Sequence, residues 1–204
     1  MDINALNKIK THYNFNPSNI LDIGANDGYF ANLCSTIWPT SNLTLVEANP
    51  FWSDILKEKN YKNIITLLGN EKKQSVDFYV NKKDKGSTGC SMYKEISSFF
   101  DENNCETISL QMNRLDDITN ETFDFIKMDT QGSELDIIKG GLNTIKKCKY
   151  LLIEVSLMSL NENAPLKQDI VKFLSRNNIK PVDVLYDHII DGELTQQDVL
   201  FVNE

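Results

Sequence analysis

The sequence predicts an α/β protein: a doubly wound, seven-stranded, mostly parallel sheet, with an antiparallel strand insertion between the third and fourth strands. Three observations lead there. Short apolar runs alternate with helix-spaced segments from residue 19 onward, and strands joined through helices lie parallel with right-handed crossovers. The first run ends in a glycine-bearing turn, Gly24-Ala25-Asn26-Asp27-Gly28, that leads directly into a helical segment. The chain has 204 residues, which suits one large domain, 1–204, at ~150 residues per domain.

The elements follow in order. Ile3, Leu6, Ile9 and Tyr13 recur at helical spacing, so residues 2–12 form an amphipathic helix within a leading segment, 1–18. Pro17 precedes the first strand, Asn19 to Ile23. Phe30, Leu33, Cys34 and Ile37 mark the next helix, and Leu43 to Glu47 is a second strand ending in an acid. Pro50 opens a helix to about Lys59, since proline is at home in a first helical turn. Asn63 to Leu68 is the third strand. Residues 71–114 break the alternation. Ser75 to Val80 and Glu106 to Met112 alternate with period two, as extra strands do, with a short helix around Glu95 to Phe100. The pattern resumes with a strand at Phe123 to Met128, a helix from Ser133 to about Lys147, and a strand at Tyr150 to Val155. Ser133 and Asp136 fit a helix capping box. A helix from Pro165 to Arg176 and strands at Lys180 to Leu185 and Asp198 to Val202 complete the reading.

Composition narrows the function. Hydrophobic residues are 41% and charged residues 25% of the chain, as in ordinary soluble proteins. A net charge of −8 disfavours nucleic acid or an anionic membrane as partner, because both are bound through clustered cations. Cys34, Cys90, Cys105 and Cys148 include no C-x-x-C pair, which removes zinc-finger and thioredoxin readings and leaves reduced thiols as the expectation. The longest apolar stretch, Tyr150 to Val155, is interrupted by Glu154 and too short to span a bilayer. Met1-Asp2-Ile3-Asn4 lacks the basic-then-apolar pattern of a leader, so a cytoplasmic location is expected.

The glycine turn carries the chemistry. Ligands of open α/β sheets bind at the carboxyl ends of the strands, and glycine lets the backbone approach closely. A dinucleotide fingerprint starting at Gly24 fails at Asn26 and Tyr29, and no lysine follows Gly28 as a Walker loop requires. An acidic turn flanked by Asp22 and Asp27 repels phosphate. It suits an amine and a sulfonium cation, which S-adenosyl-L-methionine presents. Glu47, at the tip of the second strand, is placed to accept hydrogen bonds from both ribose hydroxyls. Asn70, after the third strand, is placed to read the adenine edge, although Asn after Gly is also ordinary turn chemistry.

These residues resemble a class I S-adenosylmethionine-dependent methyltransferase, with a Rossmann-like sheet, and within that class the FkbM-type methyltransferases. The resemblance runs from about Asn19 to Val202. It rests on Leu21 to Gly28, Leu45 to Pro50, Ser87 to Ser91, Arg114 to Asp117 and Phe125 to Glu134. Lys139-Gly140-Gly141, Leu151 to Glu154 and Asp198 to Val202 complete it. Thr130 and Gln131 stand where the motif more commonly has valine and glutamate. The resemblance implies methyl transfer to a hydroxyl oxygen of a small acceptor, a sugar or glycoconjugate. The cofactor would be held by Asp22, Gly24, Ala25, Asn26, Gly28, Glu47, Ala48 and Asn70.

Methylating an alcohol requires alignment of its oxygen and removal of its proton. Asp129, ending the fourth strand, is the expected base, and Glu134 in the following first helical turn is a second candidate. Lys127 shares strand parity with Asp129; a lysine in an apolar strand implies an ion pair with Asp129 or Glu154, or a substrate-facing role. Asp129 and Glu154 are candidates to hold one divalent metal, on a thin case of two oxygen donors. His12, His188 and the apolar Tyr29, Phe30, Trp52 and Met92 are weaker candidates near the acceptor. The alternatives are a non-catalytic scaffold that binds the cofactor, an N-methyltransferase of the same fold, and a nicotinamide oxidoreductase.

Overall fold

A computed structural model describes residues 2–204; Met1, where the predicted leading segment begins, lies outside the described residues. Asp2 caps the first helix, α1 (Ile3–His12), by accepting from the backbone N–H groups of Asn4 and Ala5. Then come β1 (Asn19–Ile23), α2 (Tyr29–Ile37), β2 (Asn42–Glu47), a 3-10 turn (Pro50–Trp52) and α3 (Ser53–Glu58). β3 (Lys62–Ile65), β4 (Leu67–Leu68), β5 (Lys73–Asn81), β6 (Cys105–Asn113) and α4 (Leu115–Ile118) fill the middle. β7 (Phe125–Met128), α5 (Glu134–Gly140), α6 (Leu142–Ile145), β8 (Tyr150–Ser156), α7 (Lys167–Ser175), β9 (Ile179–Ile190) and β10 (Glu193–Asn203) follow.

The main sheet has seven strands in the order β3-β2-β1-β7-β8-β10-β9. All neighbours are parallel except β10, which runs antiparallel to both β8 and β9. The chain winds outward from β1 to β3, then returns to β7 on the other side of β1. That reversal opens a crevice above the carboxyl ends of β1 and β7. β7 and β8 are buried on both faces, so they read as continuous apolar runs rather than alternating ones. One face packs Ile23, Met128 and Ile153 under α5 and α7; the other packs Ile20, Phe125 and Leu152 under α1 and α2. Among the described residues no helix is long and apolar enough to cross a membrane.

Four predicted elements differ. The third strand divides: β3 stays in the main sheet, while Leu67 and Leu68 pair in parallel with Met112 and Asn113. β4 thereby joins the antiparallel pair of β5 and β6 in a separate sheet of order β4-β6-β5. The helix foreseen at Ser133–Lys147 breaks at Gly141, where a β-carbon would lie 2.6 Å from the Leu115 side chain. Ser133 and Asp136 do not form a capping box. The Ser133 hydroxyl donates to the Thr130 carbonyl, and Asp136 accepts from Tyr93 and Asn70. Finally, β9 and β10 form a hairpin with no helix between them, turning at Asp191 and Gly192, which both have positive φ. The short helix expected near Glu95 to Phe100 is a 3-10 turn at Ser98–Phe100.

The crevice depends on Gly24. Its φ is +78°, and a β-carbon there would stand 1.8 Å from the Asp129 carbonyl oxygen. The β1 turn and the end of β7 therefore touch backbone to backbone. We expect Gly24→Ala to lower the unfolding free energy by about 2–4 kcal/mol, from a disallowed φ plus overpacking. A urea midpoint equal to that of the unmodified protein would show that the turn relaxes instead.

Candidate active site

The crevice holds a cleft bounded by the ends of β1, β2, β4 and β7 and by residues 87–92. Glu47, the last residue of β2, lies at its edge and is 7% exposed. Its two oxygens accept from the backbone N–H groups of Asn26 and Asn49, both at 2.7 Å. Burial pushes the carboxyl up, and those two donors oppose the shift without cancelling it. Each oxygen keeps acceptor capacity beyond these bonds. Val46, Leu67, Leu68 and Ile137 give the cleft an apolar wall. The buried indole N–H of Trp52, which also lines the cleft, has no hydrogen-bond partner in the protein. A fixed carboxylate beside an apolar slot fits the ribose and base of S-adenosylmethionine.

A second cavity adjoins the first. Asp129, Gln131 and Thr88 line both, and Glu95, Glu154, Asn161, His188 and Gln196 line the second alone. Its walls come from β8, from the β9–β10 hairpin, and from two loops tied by Ile96 donating to the Leu160 carbonyl.

Behind the junction lies a buried charge cluster. Lys127 Nζ is 3.5 Å from Asp22, 3.4 Å from Asp129, and donates to the Gly24 carbonyl at 3.3 Å. Burial disfavours the ammonium, but Asp129, Asp22 and Glu154 together hold its pKa above the usual lysine range. One cation serves two acids unequally. Asp22 is fully buried with no hydrogen-bond donor on either oxygen, and burial raises its pKa despite Lys127. Burial also acts on Asp129, but Lys127 and the Gln131 amide outweigh it and hold its pKa below the ordinary value. The Asp129 side chain is 33% exposed, toward the cavities. Gln131, with φ +54°, donates to Asp129 at 2.9 Å and to Glu154 at 2.7 Å. Gln196 donates to the same Glu154 oxygen.

The structure therefore sorts the residues expected from the sequence. Gly24, Asn26, Glu47 and Ala48 line the first cavity, and Asp129 lines both. Ala25 and Gly28 shape the turn without lining either cavity. Asp22 is fully buried and faces Lys127 across the sheet rather than lining the cavity. Asn70 points to Asp136. Lys127 stands beneath the floor in the ion pair foreseen with Asp129. The Glu134 carboxylate accepts from Thr130 and Gly132 N–H groups and from the Thr130 hydroxyl, so it fastens the 130–132 turn. Glu154 is bridged to Asp129 by Gln131 and also approaches His188. Trp52 and Met92 line the first cavity, Phe30 is core, and Tyr29 is exposed. His12 packs on Tyr13, which meets Tyr150 at the amino edge of β8, away from both cavities. Sequence reasoning did not find the bridging role of Gln131, nor Asp198 and Gln196. The two glutamines and Asp198 lie on strand or turn positions whose partners are remote in sequence.

Fold and cleft together define a doubly wound α/β protein with an open crevice at the carboxyl ends of β1 and β7. Residues 22–180 match the Methyltransferase FkbM domain, and the chain belongs to that family. It is similar to the 2-O-methyltransferase NoeI of Sinorhizobium fredii (strain NBRC 101917 / NGR234), at 27% identity over 160 residues covering 70% of this chain. Among solved structures it resembles methyltransferase FkbM from Methylobacillus flagellatus KT, with a TM-score of 0.58 at 18% identity over 91% of this chain. It also resembles magnesium protoporphyrin IX methyltransferase from Synechocystis PCC 6803, solved with bound SAM. There the TM-score is 0.56 at 7% identity, over 99% of this chain and 78% of that one. The chain spans 65% of the length of NoeI and 43% of the Methylobacillus protein.

Two outcomes check this geometry. Lys127→Met leaves Asp22 without its counter-charge, and we expect a loss of about 3–5 kcal/mol of unfolding free energy. Adding Asp22→Asn should recover part of it in urea titrations; no recovery would mean that the pair is not the coupled unit. Cys90 lines the first cavity, and burial with the Glu47 and Asp84 carboxylates pushes its thiol up to about 11. Its thiolate is then scarce at pH 8, and alkylation by iodoacetamide should run roughly a hundredfold slower than at an ordinary exposed thiol. The rate should climb with each pH unit up to about 11, followed by peptide mass spectrometry.

Proposed function

We propose that the protein is an S-adenosylmethionine-dependent O-methyltransferase acting on a hydroxyl of a small acceptor, a sugar or glycoconjugate. The observation that carries this reading is the junction at Asp129: one carboxylate, held ionised by Lys127, borders both the first cavity and the second. Bound in the first cavity, the cofactor supplies a methyl group already activated by its sulfonium. Glu47 would take the ribose hydroxyls, and the Leu67–Leu68 wall would take the base. The acceptor would enter the second cavity, where Asp129 accepts the hydrogen bond of its hydroxyl and aims the oxygen at the junction. Gln131 keeps Asp129 from turning away, through its bonds to Asp129 and Glu154.

Oxygen as the methylated atom is supported by the name of the 2-O-methyltransferase relative. A neutral hydroxylated acceptor is supported by the second cavity itself: no Lys or Arg lines it, while Ser97, Ser159, Asn161 and Gln196 do. A phosphorylated acceptor would meet no lysine or arginine among the described lining residues.

The test is methyl transfer from S-adenosylmethionine to a panel of neutral, amine-bearing and phosphorylated sugars, read by mass spectrometry. Product is expected from neutral members. Asp129→Asn should lower kcat by about 10²–10⁴-fold while cofactor binding persists. Glu47→Ala should weaken cofactor binding by about 1.5–3 kcal/mol in calorimetry, the worth of a hydrogen bond to a charged group. Absence of cofactor binding to the unmodified protein would end this reading.

A further inference from the structure

We propose that Glu154, His188 and Asp198 form a divalent transition-metal site, suited to Zn²⁺ or Mn²⁺, in the wall of the second cavity.

The three residues lie on adjacent strands, β8, β9 and β10, and their ligand atoms all fall within 4.8 Å of one another. Glu154 and Asp198 stand directly opposite each other on the antiparallel pair of β8 and β10. Like charges in that position destabilise a sheet unless a cation joins them. His188 Nε2 faces both, at 3.3 Å from Glu154 Oε2 and 3.2 Å from Asp198 Oδ2. A single N–H divided between two carboxylates makes a good bond to neither, since charge-assisted bonds settle near ~2.7–2.9 Å. The two His188 spacings instead match edges of a metal polyhedron, since bonds of about 2.0–2.1 Å set tetrahedral ligand atoms about 3.3 Å apart, and the two carboxylates need only close in slightly on a shared ion.

The surroundings are those of a ligand set. Gln131 and Gln196 both donate to Glu154 Oε1, at 2.7 Å each, which leaves Oε2 turned toward His188. Carboxylate ligands are oriented in this way by outer hydrogen bonds. One imidazole with two carboxylates suits a borderline or hard divalent ion rather than a soft one. Because Glu154 and His188 line the second cavity beside Asp129, a bound ion would have an open side there for acceptor hydroxyls. That last role rests on the proposed methyl transfer; metal binding does not.

The experiment uses the full chain, stripped with chelator, without cofactor or acceptor. Zn²⁺ is titrated by calorimetry and Mn²⁺ by electron paramagnetic resonance. One ion per chain is expected, with affinity lowered at least tenfold in both Asp198→Asn and His188→Gln, and unchanged in His12→Ala. Circular dichroism of each variant separates a lost ligand from a lost fold. No saturable binding of either ion up to 1 mM, or equal binding in Asp198→Asn and His188→Gln, overturns the proposal. Neither result bears on methyl transfer, which is measured separately.

Discussion

The Lys127 ammonium is the interaction on which the rest of the structure depends. It sits inside a parallel sheet between carboxylates from two strands, with the Phe30 ring 5.4 Å away and the Gly24 carbonyl as a further acceptor. A buried cation is tolerated only with such partners. In satisfying it, the chain ties together β1, the turn after it and the end of β7, the three pieces that border the crevice. The same charge keeps Asp129 ionised where both cavities meet. Structural and chemical roles thus share one group, and separating them requires partial changes such as removing Asp22 alone.

Much of the architecture was legible because apolar periodicity reports burial directly. β1, β2, β7 and β8 are covered on both faces and stand out as short apolar runs. What the sequence concealed was pairing. Leu67 and Leu68 continue the apolar run of β3, yet their hydrogen bonds go to β6, and nothing in their composition marks the change of sheet. The β9–β10 hairpin was read as two short strands. β10 is buried from Thr195 to Phe201 apart from half-buried Gln197, whereas β9 is buried only at Ile179, and the two carry exposed residues such as Ile189 and Leu194 near the turn.

The candidate site divides in the same way. Residues fixed by local chain geometry lie at the crevice, where the sequence places them: Gly24 in its turn, Glu47 at its strand tip, Asp129 just after β7. Contacts that form only on folding were not legible. Glu134 looks like a reacting acid in the linear motif but is occupied by the turn before it. Asn70 has an available amide in sequence and a committed one in space. His188 gains meaning only from Glu154 and Asp198, which approach it across two antiparallel ladders.

The two cavities are made of unequal material. The first is lined by the tips of β1 and β2, by β4 and by the turns that leave those strands, with core residues such as Ile23, Val46 and Leu68 in its wall, where an exchange disturbs the core. The second borrows a flank from a hairpin whose tip, around Asp191 and Gly192, touches little. Apart from Asp191 and Gly192, whose positive φ ties them to the turn, side chains near that tip can change at little cost to the scaffold, so this flank is free to vary while the crevice beside it stays constant.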